Sequence, residues 1–152
     1  MDLDSPYQFL DLDWFFIDVD GHLAHVCSGG GKLPISIAEN YPHDFLLTIF
    51  RNLPSLGKAD INPMLQKYVA FKNNKEREQY LNSFSPMTQR GLYSFDKSDL
   101  TRSLDGKYHL VSSPKITLHI SMLPPEVVLQ LSKTKINRRI KEVDSFDVFE
   151  VS

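Results

Sequence analysis

The sequence predicts an α+β fold: an antiparallel sheet built from N-terminal and C-terminal hairpins, with helices grouped in the middle and one more after Pro125. Three observations predict it. Asp20-Gly21 separates two strand-like runs near the N-terminus, and Asp-Gly between apolar runs is a strong short-range hairpin signal. Between residues 42 and 84 the apolar side chains recur at helical spacings, and beyond Pro86 strand-like patterns return. Strands at both ends with helices between them favour α+β over a doubly wound parallel sheet.

Taken in order, residues 1–12 form a weakly ordered lead-in, and residues 14–19, WFFIDV, have the aromatic and β-branched content of a strand. Residues 22–27 alternate polar and apolar, which marks a half-buried second strand. Ser28-Gly29-Gly30-Gly31 then closes the hairpin as a flexible connector. Pro42 suits a first helical position, and Phe45, Leu46, Ile49, Phe50 and Leu53 continue a helix that Pro54 ends. Asn62-Pro63 predicts a second helix with Leu65, Tyr68 and Val69 inward. Residues 74–84 predict a charged helix whose apolar side is Tyr80, Leu81 and Phe84. Strands are expected at 92–95, 108–111 and 115–121, with Asp105-Gly106 as a second hairpin turn. Pro124-Pro125 opens a helix with Val127, Val128 and Leu131 inward, running to about Val143, before a terminal strand over 146–151.

A chain of 152 residues suits one domain, 1–152, with a substantial core. The 41% hydrophobic and 24% charged fractions are ordinary for a globular protein. A net charge of −2 gives no whole-molecule field for nucleic acid or an anionic membrane. Cys27 is the only cysteine, which excludes an intrachain disulfide and a multi-cysteine zinc site and points to a reducing cytoplasm. The N-terminus is acidic where a signal peptide is basic, and the apolar run from Trp14 to Ile17 is far below the roughly 20 residues of a membrane span. A cytoplasmic location without membrane insertion is the expectation.

Several constellations invite chemistry. Asp18-Val19-Asp20-Gly21, following Phe15-Phe16-Ile17, resembles the first motif of haloacid-dehalogenase-like phosphatases. The resemblance implies Asp18 as the phosphorus nucleophile, Asp20 as general acid and a magnesium ion between carboxylates. Against it, His22 stands where a small hydroxyl residue belongs, and Asp96 with Asp99 or Asp144 with Asp147 substitute poorly for the missing acidic cluster. That family also needs a parallel strand feeding a crossover, where this pattern reads as a hairpin. A calcium loop fails, because Phe16 and Cys27 fall at ligand positions. His25 and Cys27 share a strand face with His22 opposite, so a metal site would need His109 or His119 from a neighbour, and partly exposed sheet histidines are expected instead. No metal and no cofactor are therefore expected. Cys27 as a nucleophile would need His25 and an electropositive setting, and a half-buried inert thiol is the simpler expectation. Gly29-Gly30-Gly31-Lys32 fails as a phosphate loop at Val26 and Leu33. Lys133, Lys135, Arg138, Arg139 and Lys141 are followed by Asp144, Asp147 and Glu150, which suits a solvated helix face better than a nucleic-acid site.

The stretch DWFFIDVDGHLAHVCSGGGKLP, residues 13–34, resembles the opening of a group of small bacterial proteins, and GKYHLVSSPKITLHISMLPPEV, residues 106–127, is similar to a later strand and helix of that group. Its structural motif falls here on Trp14, Asp20, Gly21, Gly29, Gly30 and Pro34. Some members look like immunity proteins of bacterial toxin systems. The resemblance implies a scaffold and transfers no catalytic residue. The expected function is a non-enzymatic cytoplasmic protein-binding domain, an immunity protein whose partner is a toxin domain. The acidic residues of the first 20 positions would face a basic toxin and raise association rate and selectivity. The alternative is a small magnesium-dependent phosphatase using Asp18 and Asp20; a purely architectural role is the third reading.

Overall fold

The computed structural model describes residues 11–40, 44–99 and 105–152. Most of the predicted lead-in, residues 1–10, and the predicted helix start at Pro42 lie outside the described residues. Leu12, the end of that lead-in, is tied down: its N–H donates to the Ser28 hydroxyl, and its carbonyl accepts from the Ser28 N–H.

Strands β1 (Asp13–Ile17) and β2 (Leu23–Cys27) pair antiparallel, with Asp13 opposite Cys27 and Ile17 opposite Leu23. The predicted hairpin is present. Its turn is longer than a two-residue Asp-Gly loop. The Asp18 N–H donates to the His22 carbonyl, and the Gly21 N–H donates to the Asp18 carbonyl. Gly21 has φ 85°. A three-residue loop that ends on a left-handed residue matches the strand twist, which is why glycine follows Asp20. A side chain there would also collide: a Cβ on Gly21 would lie 2.7 Å from His119 Nε2.

Between β2 and the next sheet neighbour come α1 (Ile35–Asn40), α2 (Asp44–Arg51), β3 (Ala59–Ile61), α3 (Asn74–Leu81) and α4 (Ser85–Gln89). Then follow β4 (Tyr93–Lys97), β5 (Lys107–Pro114), α5 (Pro125–Leu131) and β6 (Ser145–Asp147). The sheet order is β1-β2-β4-β5-β3, with β6 also on β5. β3 pairs with Ser112 to Pro114 and β6 with Lys107 to His109, so the two short strands lie end to end along one edge of β5.

The sheet is mixed, which corrects the expected antiparallel one: β2 and β4 run parallel, from Ala24 opposite Tyr93 to Cys27 opposite Asp96. Parallel neighbours cannot be joined by a hairpin, so the chain from α1 to α4 serves as the crossover. The helices are accordingly distributed mostly between strands, with β3 dividing the group expected in the middle.

Apolar layers cover both sheet faces. Trp14, Phe16, Ala24, Val26, Phe95 and Tyr108 face Ile37, Ile136, Ile140 and Phe146. Phe15, Ile17 and Leu23 face Leu46 and Phe50 of α2, Met87 of α4, and Val127 and Leu131 of α5. β2 was expected to be half-buried, yet Leu23 through Val26 are all buried, as befits a strand beside a parallel neighbour. The sheet histidines His25 and His109 are buried, not partly exposed as predicted: His25 lies on the same strand, and His109, on the interior strand β5, is covered by Tyr68 and Tyr80.

Other boundaries move for identifiable reasons. Asn62 does not begin a helix. Its N–H donates to the Val111 carbonyl and its side-chain amide to the Leu110 carbonyl, ending β3, and only a 3-10 turn follows at Leu65–Lys67. Residues 115–121 leave the sheet after Pro114; His119 bridges His22, and Leu118 packs against the sheet face of Phe15 and Leu23. Asp105-Gly106 leads into β5, but β4 ends at Lys97 and nine residues lie between the two strands, so Asp105-Gly106 is not a two-residue hairpin turn. Helix α5 stops at Leu131 instead of Val143. The Ile17 N–H donates to the Thr134 carbonyl and the Ile136 N–H to the Ile17 carbonyl, extending the sheet past β1 and burying Ile136. The terminal strand is shortened to β6, because Asp147 and Glu150 form a capping box for a 3-10 turn. Among the described residues no helix is long and apolar enough to cross a membrane.

Candidate functional site

Asp18, the candidate nucleophile, is 1% exposed. Its Oδ1 accepts the N–H groups of Asp20 and His22, each at 2.9 Å, and its Oδ2 accepts the Ile140 N–H at 2.9 Å. Both oxygens are thus committed to backbone donors that hold the hairpin turn and tie it to the C-terminal segment. An attacking carboxylate needs an oxygen open to substrate, and this geometry does not offer one. Asp20 is exposed and pairs with Arg139 at 3.4 Å, while His22 Nδ1 lies 3.7 Å from Asp18 Oδ2.

The remaining motif residues are structural. Trp14 is fully buried. Gly29 and Gly30 have φ of 56° and 76°, and the Gly31 N–H donates to the Ser28 carbonyl at 2.8 Å. Two consecutive left-handed residues make a tight primed turn, not the flexible connector expected. The Pro34 carbonyl accepts from Ile37 and Ala38 and so starts α1.

Among the described residues, Asp13, His25, Cys27 and Asp96 gather at the start of β1 and the carboxyl ends of β2 and β4. Crevices beyond the carboxyl ends of parallel strands are where α/β sheets commonly place ligands. Pairing puts Asp13 opposite Cys27 and Asp96 beside Cys27, and His25 shares their face two residues earlier. His25 Nε2 is 2.8 Å from Asp13 Oδ1, the Cys27 thiol donates to the same oxygen at 3.3 Å, and Cys27 Sγ is 3.9 Å from His25 Nε2. Burial pushes the Asp13 carboxyl upward, but the hydrogen bond and charge of His25 outweigh it and hold the group below the usual range. Burial first, then the Asp13 and Asp96 carboxylates, push the Cys27 thiol well up. Such a thiol stays protonated, and one imidazole nitrogen faces both acid and thiol, so this is not a Cys-His nucleophile pair. A pocket of about 370 Å³ opens beside it, lined by Asp11, Asp13, Cys27, Tyr80 and Asp96 among others.

A second chain of polar groups backs that pocket. The Tyr80 hydroxyl donates to Asp96 Oδ2 at 2.7 Å and lies 3.4 Å from His109 Nε2. Ser98 Oγ is 3.1 Å from His109 Nδ1, and Tyr68 stacks on the imidazole at 4.6 Å and 4°. Burial raises the Asp96 carboxyl to about 6 despite the Tyr80 hydrogen bond, and burial lowers His109 to about 4.

The folded protein therefore holds His109 neutral, whereas the unfolded chain protonates it near pH 6.5. Its contribution to stability is complete above that pH and is lost as pH falls toward 4. Asp96 acts in the opposite sense, favouring the fold at low pH and losing that contribution as pH rises through 6. Urea unfolding of wild type and His109→Gln between pH 6.5 and 4 isolates the first effect. The wild type is expected to lose up to about 3 kcal/mol relative to the variant over that range. Parallel pH profiles would show that His109 titrates alike in both states.

Of the acidic residues in the first 20 positions, Asp2 and Asp4 lie outside the described residues and Asp11 is exposed. Asp13 and Asp18 are bonded internally, and Asp20 pairs with Arg139. Arg138 pairs with Glu150 at 3.1 Å, and the basic run is solvated but not helical. A different surface stands out: a groove of about 410 Å³ between α1 and the C-terminal turn, lined by Pro34, Ile35, Val148, Phe149 and Val151. Phe149 is 69% exposed and Ile35 42%, and Lys32 Nζ sits 4.6 Å above the Phe149 ring.

Sequence reasoning paired His25 with Cys27 but did not find Asp13, nor the Tyr80–Asp96–His109 chain. The predicted two-residue turn at Asp20-Gly21 would pair Trp14 with Cys27; the longer turn shifts the register by one residue and brings Asp13 there instead. Comparisons with protein-family models, with curated proteins and with solved structures find no match to this chain.

Proposed function

We propose that this protein is a non-enzymatic protein-binding domain that acts as an immunity protein, seating a toxin domain against the groove between α1 and the C-terminal turn. The observation that carries the reading is Phe149. A large aromatic side chain, mostly exposed beside Ile35 and an apolar floor, has the composition of an interface anchor. Lys32 and Glu39 beside the groove supply charges of both signs, which suits a rim that selects one partner. The commitment of Asp18 to backbone donors and the protonated Cys27 thiol favour binding over catalysis at the motifs that suggested chemistry. The resemblance of residues 13–34 and 106–127 to a group containing immunity-like proteins points the same way.

The test begins with gene order: a toxin-domain gene is expected beside this one, and its product is the partner to be used. Co-expression of the wild type is expected to restore growth, and the purified proteins are expected to form a complex. Phe149→Ala is expected to weaken that complex by roughly tenfold or more, as truncation of an aromatic anchor does, with an unchanged melting temperature. No binding and no neutralisation by the wild type would overturn the immunity reading. Wild-type affinity in the Phe149 variant would move the contact face elsewhere.

A further inference from the structure

We propose that Asp13, His25 and Cys27 form a binding site for a zinc-class divalent ion, with a fourth coordination position open to the adjoining pocket. The donors are a carboxylate oxygen, an imidazole nitrogen and a sulfur, a set that suits a borderline ion such as zinc and is poor for magnesium or calcium.

The spacing is close to what such an ion requires. Metal–ligand bonds of about 2.0–2.3 Å in tetrahedral arrangement place donor atoms about 3.3–3.7 Å apart. The three separations here are 2.8, 3.3 and 3.9 Å. Admitting an ion requires Asp13 and His25 to part slightly and little else. The donors sit on two paired strands whose register sets their positions, so no loop has to fold around the ion.

The surroundings also fit. Metal-bound histidines usually engage their second nitrogen in a fixed hydrogen bond. His25 Nδ1 lies 3.4 Å from the Ser94 hydroxyl, which is itself held 2.9 Å from Thr88 Oγ1, and that atom is 2.7 Å from Ser112 Oγ. His25, Ser94, Thr88 and Ser112 are all buried. Asp11, Asp13 and Asp96 gather negative charge around the same pocket. Among the described residues no lysine or arginine forms an ion pair with Asp13 or Asp96. Arg90, which lines the neighbouring cavity, is bonded to the carbonyls of Leu53, Pro86 and Arg51. His25 and Arg51 already offset part of the Asp13 charge, and a dication adds positive charge where Asp11, Asp13 and Asp96 converge. On binding, the Cys27 S–H proton passes to solvent, and His25 gives up its Nε2 proton and keeps one on Nδ1 toward the Ser94 hydroxyl; the thiolate and the freed nitrogen coordinate, and the hydrogen bonds of Cys27 and His25 to Asp13 give way to metal–ligand bonds.

Cobalt titration of the chelator-treated full chain tests this without reference to partner binding. One equivalent of Co²⁺ is expected to produce a near-ultraviolet thiolate charge-transfer band and visible bands of a four-coordinate ion, both abolished by excess Zn²⁺. Cys27→Ser is expected to lose the charge-transfer band, and Ser94→Ala, outside the ligand set, to weaken binding by about 10- to 100-fold. Absence of the charge-transfer band in folded wild type overturns the proposal, whatever the variants do. Its persistence in Cys27→Ser overturns it equally.

Discussion

Asp18→Asn is expected to destabilise the protein by about 2–4 kcal/mol, although it changes one atom of a side chain. The carboxylate accepts three backbone N–H groups from two directions, Asp20 and His22 on Oδ1 and Ile140 on Oδ2. An amide has only one acceptor oxygen. In either orientation its NH₂ group faces a backbone donor, so at least one buried N–H loses its partner and meets another donor. Hydrogen bonds to charged acceptors contribute more than neutral ones, and a stranded buried donor costs its full desolvation. For a chain of this length the loss corresponds to a fall in melting temperature of roughly 4–16 °C. Thermal and urea unfolding measure it directly. A catalytic Asp18 would give the reverse pattern: unchanged stability with loss of magnesium-dependent aryl phosphate hydrolysis. That result would return the phosphatase reading to first place.

Trp14→Ala is expected to cost about 3–5 kcal/mol, a large part of the roughly 5–15 kcal/mol that stabilises a typical domain. The indole is fully buried at the centre of an aromatic cluster. It meets Tyr108 edge-on at 5.7 Å and 86°, and Phe146 at 6.2 Å and 89°. Phe146 in turn contacts Phe16 at 5.2 Å and Phe95 at 5.1 Å. Removing the indole therefore opens a cavity among large rings fixed on four different strands, and such a site collapses poorly. Trp14→Phe, which retains a ring, is expected to lose clearly less. Equilibrium urea unfolding of both variants checks the order. A loss below about 1 kcal/mol for the alanine variant would mean the cluster repacks and Trp14 is not its anchor.

Much of the local structure was legible from short-range patterns. The hairpin of β1 and β2 follows from Asp20-Gly21 between two apolar runs, and the helical spacing of Leu46 and Phe50 marks α2. Three of the misreadings share one cause. At Asn62, at residues 115–121 and after Leu131, local propensity favoured one element and a distant backbone favoured another. The carbonyls of Leu110 and Val111 took Asn62, and both backbone groups of Ile17 took residues 134–136. Propensity differences are a few tenths of a kcal/mol per residue, so one buried backbone pairing outweighs them.

The same distinction runs through the candidate sites. Residues adjacent in the chain determine the turn at Asp18 to His22, because an Asx side chain and a left-handed glycine act over four residues. The alternation of β2 likewise determines that His25 and Cys27 share a face. Only the tertiary structure decided that β4 lies parallel to β2, which brings Asp96 beside Cys27, and that Ile140 reaches Asp18. Those contacts join positions far apart in sequence, and they form because two apolar faces must be covered at once. Hydrophobic periodicity states which faces are apolar; the packing of the whole chain selects what covers them.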